Sequence, residues 1–344
     1  MGDNSGKNPG IALLERAEGR TDLLRVVPLK SPPTGLALTH DGKLLIAAAA
    51  DGPVFLDVER MASGDSNPVL GSFSDGANSQ SIYANVSPGD KLLFVSEERA
   101  HSITVIDLER ARANGYKSDS IIGKIPVANA PIALTFSPDG KWLYTTSQGA
   151  LPDWHWPKAC KPEGRDPAAE IANPEGAIIV VDVARASTNP AQAVVARVPA
   201  GCSPVRMAIT PDGARIYVTA RNSNTVLAFD TAKLLTDVNH ARVGEAPVGA
   251  APVPIVVVDG GRKVVAGSSN RFAAPTAPQS LLVLDAAKME AGTDATLGTI
   301  AAGAFPREMA LSADGHTLFL TNFGSNSLQV IDVDRLLLVP NRRP

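Results

Sequence analysis

Six times along this chain a Pro or Ser opens a run of about ten residues that closes in an Asp-Gly type turn: residues 33–42, 81–90, 131–140, 204–213, 252–261 and 306–315. A second apolar run follows each, such as Leu44-Leu45-Ile46-Ala47 or Arg215-Ile216-Tyr217-Val218. A third then ends in Asp, at Asp57, Asp107, Asp182, Asp230, Asp285 and Asp332. Asp-Gly between two apolar runs is a strong hairpin signal, because Gly tolerates positive φ. Runs such as Ile178-Ile179-Val180-Val181 are apolar at every position, so the strands are expected to be covered on both faces. Short helix-like pieces come next (residues 108–112, 231–235, 286–290), then a fourth strand such as residues 122–127 or 193–198. Six repeats of four antiparallel strands predict an all-β, six-bladed β-propeller. The domain is expected over residues 22–336, after an extension of residues 1–21 and before a tail of residues 337–344. The last repeat lacks a fourth strand after Asp332, and residues 23–29 supply a spare one. The N-terminal strand is therefore expected to close the last blade and remove the open edge.

Three segments resemble the YVTN-type propeller repeat: Pro131-Ile132-Ala133-Leu134-Thr135-Phe136-Ser137-Pro138-Asp139-Gly140, Ile103-Thr104-Val105-Ile106-Asp107 and Tyr217-Val218-Thr219-Ala220-Arg221-Asn222-Ser223-Asn224-Thr225-Val226. The similarity runs over residues 22–333. Relatives with this repeat usually have seven blades, whereas six are shared by lactonase-like propellers of the gluconolactonase and paraoxonase kind. That second resemblance implies a calcium ion in the central channel, held by Glu and by Asn or Asp. Oxygen ligands of those types stand at Glu97, Asn222, Asn270, Glu308 and Asn322, but they do not reproduce the family's motifs. Arg206, Arg221 and Arg307, expected at the same mouth, would repel a cation. No metal or other cofactor is expected, with channel calcium as the alternative.

Composition narrows the partners. The formal net charge is −3 and the basic residues are scattered, so neither nucleic acid nor an anionic membrane is expected as a partner. No apolar run is long enough for a transmembrane helix, and the first residues lack a signal-peptide pattern. The chain is expected to be secreted or periplasmic with its signal removed, or otherwise cytoplasmic, and a monomer or homodimer.

Candidate site residues are those that break the repeat. The third position of each first strand reads Gly35, Tyr83, Ala133, Arg206, Pro254, Glu308. Arg206 and Glu308, with Arg307 beside them, suggest a polar channel mouth, or an ion pair bridging blades. The end of the second strand offers Glu97 and Asn322, followed by Gln148, Arg221 and Phe323; the segment around Glu97 reads as a charged surface loop. Two loops exceed the template. Residues 148–176 carry Trp154-His155-Trp156 and read as a lid, or as an anchored surface loop; the other holds Asn270 and Phe272. Cys160 and Cys202 fall in loops expected on one face of neighbouring blades, which makes a disulfide geometrically reasonable and implies an oxidising compartment.

These residues support three functions. The first is a small-molecule enzyme without a redox cofactor, doing lyase, isomerase or cyclase chemistry such as a cycloaddition in natural-product biosynthesis. Its catalytic candidates are Arg206, Arg307, His155 and Glu308. Tyr83, Glu97, Gln148, Trp154, Trp156, Arg221, Asn270, Phe272, Asn322 and Phe323 would bind the small organic substrate. The second is a lactonase-like hydrolase with channel calcium. The third is a non-catalytic YVTN-type binding propeller.

Overall fold

The computed structural model describes residues 2–3, 8–17, 19–164, 166, 168–270 and 279–336. It is an all-β, six-bladed propeller built from antiparallel sheets in chain order. The first two blades begin with strands Pro33–Leu38 and Ser81–Val86, the third with Asn129–Phe136. The fourth, fifth and sixth begin with Pro204–Ile209, Pro252–Val258 and Pro306–Leu311. Five blades have four strands; among the described residues the sixth has three. The chain divides into two compact units, residues 1–145 with 181–195 and residues 146–180 with 196–344.

The repeated residues do defined local work. In the first blade the Thr39 hydroxyl donates to Asp41 (2.6 Å) and accepts from the Leu44 amide (3.0 Å), while Asp41 accepts from the Lys43 amide. The same clasp recurs around Asp139, Asp212 and Asp314. The side-chain hydrogen bond from the neighbouring Ser or Thr holds each of these four carboxyls below its ordinary pKa. The Asp that ends the third strand caps the short helix after it: Asp57, Asp107, Asp182 and Asp285 each accept the amide three residues on.

Within the first unit, Ala37, Ile46, Phe55, Ala84, Leu93 and Val95 form the core between the first two blades. Within the second, Tyr217, Ala228, Ile255, Val264 and Leu284 do the same for the fourth and fifth. Hydroxyls in second strands tie successive blades through their first strands: Ser96 donates to the Ile132 carbonyl (2.8 Å), Thr146 to Val205 (3.0 Å) and Thr219 to Val253 (2.9 Å).

The expected closure is corrected. Strand Arg20–Pro28 pairs with Gly10–Ala17 as a local hairpin, and Gly2–Asp3 adds to the other edge of Gly10–Ala17. Ile11, Val27 and Leu29 pack on Ala47, Leu56 and Met61 of the first blade, instead of adding a strand to the last. The reason is proximity: Gly19, at φ +78°, turns the chain directly back on itself, and a short loop costs less entropy than a long one. The boundary expected at residue 22 thus falls inside a strand.

Candidate functional site

Two backbone features, repeated from blade to blade, shape the loops that carry the site. Ala130, inside Asn129–Phe136, is left-handed, and so is the residue before the first strand at Gln80, Ser203, Ala251 and Phe305, with φ between 48° and 53°. Its carbonyl accepts the amide of the residue just past the second strand in four blades, from Glu98, Arg221, Ser269 and Phe323. A second bond joins the preceding carbonyl to the next amide: Ser79 to Arg99, Cys202 to Asn222, Ala250 to Asn270 and Ala304 to Gly324. The loop entering a blade and the hairpin between its second and third strands therefore share one face.

The second feature is a register shift at the start of first strands, between Pro204 and Met207 and between Pro306 and Glu308 among others. Such bulges re-aim the side chains at the shift. Here they bring Arg206 and Glu308 together across 102 residues of sequence: Arg206 Nε donates to Glu308 Oε2 at 2.9 Å. The arginine side chain is 6% exposed and the glutamate 39%. Arg307, the bulged residue, lies over the rings of Phe305 and Phe323 at 5.8 and 5.7 Å. Those rings meet edge to face at 5.6 Å. Glu308 thus offers a carboxylate to solvent from a floor that holds a buried guanidinium. Asn322, at the end of the second strand of the same blade, is buried, and its Oδ1 has no hydrogen-bond partner.

Arg221 and Gln148 are committed to the long loop. Arg221 Nε and Nη2 donate to the two oxygens of Glu163 at 2.5 and 2.6 Å, and Nη2 also reaches Gln148 Oε1 at 2.7 Å. Asn222 Nδ2 donates to the Lys161 carbonyl at 2.8 Å. Cys160 and Cys202 form the expected disulfide, with Cα atoms 5.6 Å apart. Trp154 and Trp156 stack edge to face at 5.1 Å, and Arg197, on the outer strand Val194–Pro199, lies 5.0 Å from the Trp154 ring. Trp154 thus lies against a side chain of that outer strand, and His155 is exposed. Glu163 was not singled out from the sequence. Its only signal was an acidic residue in a loop opposite an unpaired basic position.

Glu97 requires correction. It ends a strand and is fully buried, not in an open charged loop. Ser102 Oγ (2.5 Å) and Thr104 donate to it, and Lys124 Nζ reaches both its oxygens at 2.8 and 2.7 Å. Strand pairing explains this, since Ser102 lies opposite Glu97, and Lys124 opposite Thr104. The missed signal was Lys124 within the apolar strand Ile121–Pro126. Tyr83 sits half-buried on the first strand of the second blade, so close to Gly35 that a Cβ there would meet the Tyr83 backbone at 2.9 Å. Asn270 is half-buried with its amide on the Ala250 carbonyl, and Phe272 lies outside the described residues.

Of the oxygen ligands that the lactonase resemblance implies for calcium, three have other partners. Glu97 is saturated by Lys124 and two hydroxyls, Glu308 is paired with Arg206, and the Asn222 amide serves the Lys161 carbonyl. Among the described residues no group of three His, Cys, Asp or Glu is placed to hold a metal ion. None of their helices is long and apolar enough to cross a membrane.

No protein-family model matches the chain, and no curated protein matches it, so the likeness to the YVTN repeat rests on the quoted residues alone. Solved structures do resemble it. The periplasmic gluconolactonase of Pseudomonas aeruginosa matches at 17% identity and TM-score 0.67, over 96% of this chain and 90% of that one. A candidate 6-phosphogluconolactonase of Bacteroides fragilis matches at 15% identity and TM-score 0.69, over 96% and 88%. The hydrazine synthase of Kuenenia stuttgartiensis matches at 17% identity and TM-score 0.64, over 92% and 81%. At these identities the likeness is one of fold, which very different chemistries share.

Proposed function

We propose that this chain is a lactonase-like hydrolase acting at the Arg206–Glu308 pair. The observation that carries the reading is the asymmetry of that pair: a buried guanidinium fixed beneath a carboxylate that solvent can reach. Lactone opening needs a base to take a proton from water and a positive group for the oxyanion that forms. Glu308 would take the proton as water attacks the ring carbonyl carbon. Arg307, steadied by Phe305 and Phe323, would face the developing negative charge. The ring C–O bond then breaks, the ring oxygen takes a proton, and the product is a hydroxy acid. No step of this scheme requires a metal.

The gluconolactonase and 6-phosphogluconolactonase among the similar folds support this reading over the lyase, isomerase or cyclase chemistry first expected from the sequence. The disulfide favours an oxidising compartment for the activity. Acid release from a panel of γ- and δ-lactones, followed at constant pH with and without added calcium, tests it. Turnover that scales with protein and disappears in Glu308→Gln is expected. Hydrolysis no faster than buffer for every lactone, in both conditions, would sink the reading.

A further inference from the structure

A cavity in the first unit, about 510 Å³, is lined by Ala50, Asp51, Ser74, Gly76, Ala77, Asn78, Ser79, Gln80 and Arg99. It lies on the loop face of the first two blades, where the Ser79 and Gln80 carbonyls hold the Arg99 and Glu98 amides. Its rim is chemically specific. Asp51 is exposed and, among the described residues, accepts only from Ser31 Oγ (2.5 Å). Arg99 is exposed and forms no ion pair among the described residues. The amide side chains of Asn78 and Gln80 have no hydrogen bond there either. All four are planar groups that can present two polar atoms to one ligand.

The floor is polar as well. Ser79 is 2% exposed and directs its hydroxyl to the Asp75 carboxyl, which is pushed up chiefly by burial. The Ser79 oxygen keeps lone pairs that can accept from a ligand reaching the cavity floor.

We propose that this cavity binds a small neutral polyol or monosaccharide through vicinal hydroxyls. One anion and one cation on the rim balance each other, which favours an uncharged ligand over a sugar acid. Carboxylate and amide oxygens accept hydroxyl protons, the guanidinium and amide nitrogens donate to hydroxyl oxygens, and Ser79 closes the set from below. The cavity volume falls within the usual range for small-molecule sites.

The test is saturation-transfer NMR and calorimetry on the full chain with D-glucose, D-galactose, myo-inositol and sodium gluconate, alongside an array of immobilised glycans. Binding of a neutral sugar is expected, weakened at least about tenfold in Asp51→Asn and in Arg99→Met. Both positions are exposed, so these variants should keep the wild-type melting temperature. Ser79→Ala should weaken binding by a smaller factor. Glu308→Gln should leave it unchanged, which separates this site from the proposed hydrolytic one. Free sugars binding points to a soluble ligand, and binding only on the array points to a terminal glycan residue; both support the site. No neutral sugar bound on either arm, tighter binding of gluconate than of every neutral sugar, or equal binding by all variants would overturn it.

Discussion

Each unit contains an ion pair with one buried member, and two of these pairs, Glu97–Lys124 and Arg206–Glu308, are mirror images. In the first, Glu97 is fully buried and Lys124 is 38% exposed. In the second, Arg206 is 6% exposed and Glu308 is 39% exposed. Glu97 has its oxygens filled by a lysine and two hydroxyls, so it has nothing left to offer a substrate. Glu308 gives one oxygen to Arg206 and turns toward water. Burial of the acid makes a structural element; burial of the base leaves an acid that can act. A charged residue in a repeat column is therefore not itself a sign of chemistry. What matters is which member of its pair faces solvent.

Substitutions can break this contrast. The largest effect is expected from Glu308→Gln, which keeps an acceptor for Arg206 but removes the base. Its kcat on a lactone should fall by about 10²–10⁴-fold, measured per folded molecule. An unchanged rate would place the chemistry elsewhere. Replacing both Cys160 and Cys202 by Ser should cost about 3–4 kcal/mol in chemical denaturation, from a crosslink spanning 42 residues. Its effect on turnover should be small if the loop serves as an anchor. Glu97→Gln should lower stability by about 1–3 kcal/mol, because charged hydrogen bonds are lost while the half-exposed lysine is partly solvated. Its kcat per folded molecule should match wild type, the opposite signature to Glu308→Gln.

The smallest expected effect concerns acid. The Ser or Thr clasp holds the folded pKa values of Asp41, Asp139, Asp212 and Asp314 below the usual carboxylate range. A depressed carboxyl stabilises the fold above its unfolded pKa and loses that contribution as pH falls through the folded one. The melting temperature should therefore hold steady from neutral pH downward and drop only below about pH 4. Asp139→Asn should make that drop shallower. An identical acid profile in the variant would show that the clasp does not couple to stability.

The sequence announced the blades because the same local physics is written six times. The Asp-Gly turn, the clasp and the helix cap each need one residue type at one spacing, so the repeats stand out in the sequence. The Cys160–Cys202 bond was legible for a related reason: once strands are placed, so are the loops. The pairing of Arg206 with Glu308 was legible only as a shared column, since the bulge that turns them together has no sequence mark of its own. Glu97 was misread because burial at a strand end depends on Lys124 two strands away. The N-terminal hairpin was misread because one strand was weighed without the neighbouring partner at residues 10–17. Glu163 and Ser79 lie in irregular loops, where no period exists to reveal them.

The left-handed residue before four of the first strands has a consequence for how such a protein changes over time. Its carbonyl fastens the residue just past the second strand by main-chain atoms alone, so the socket stays the same whatever side chain is plugged into it. Glu98, Arg221, Ser269 and Phe323 occupy four such sockets as an acid, a base, a hydroxyl and an aromatic ring. The loop face behaves as a board with fixed pins and exchangeable parts. A new specificity can be installed one pin at a time without disturbing the strands beneath it.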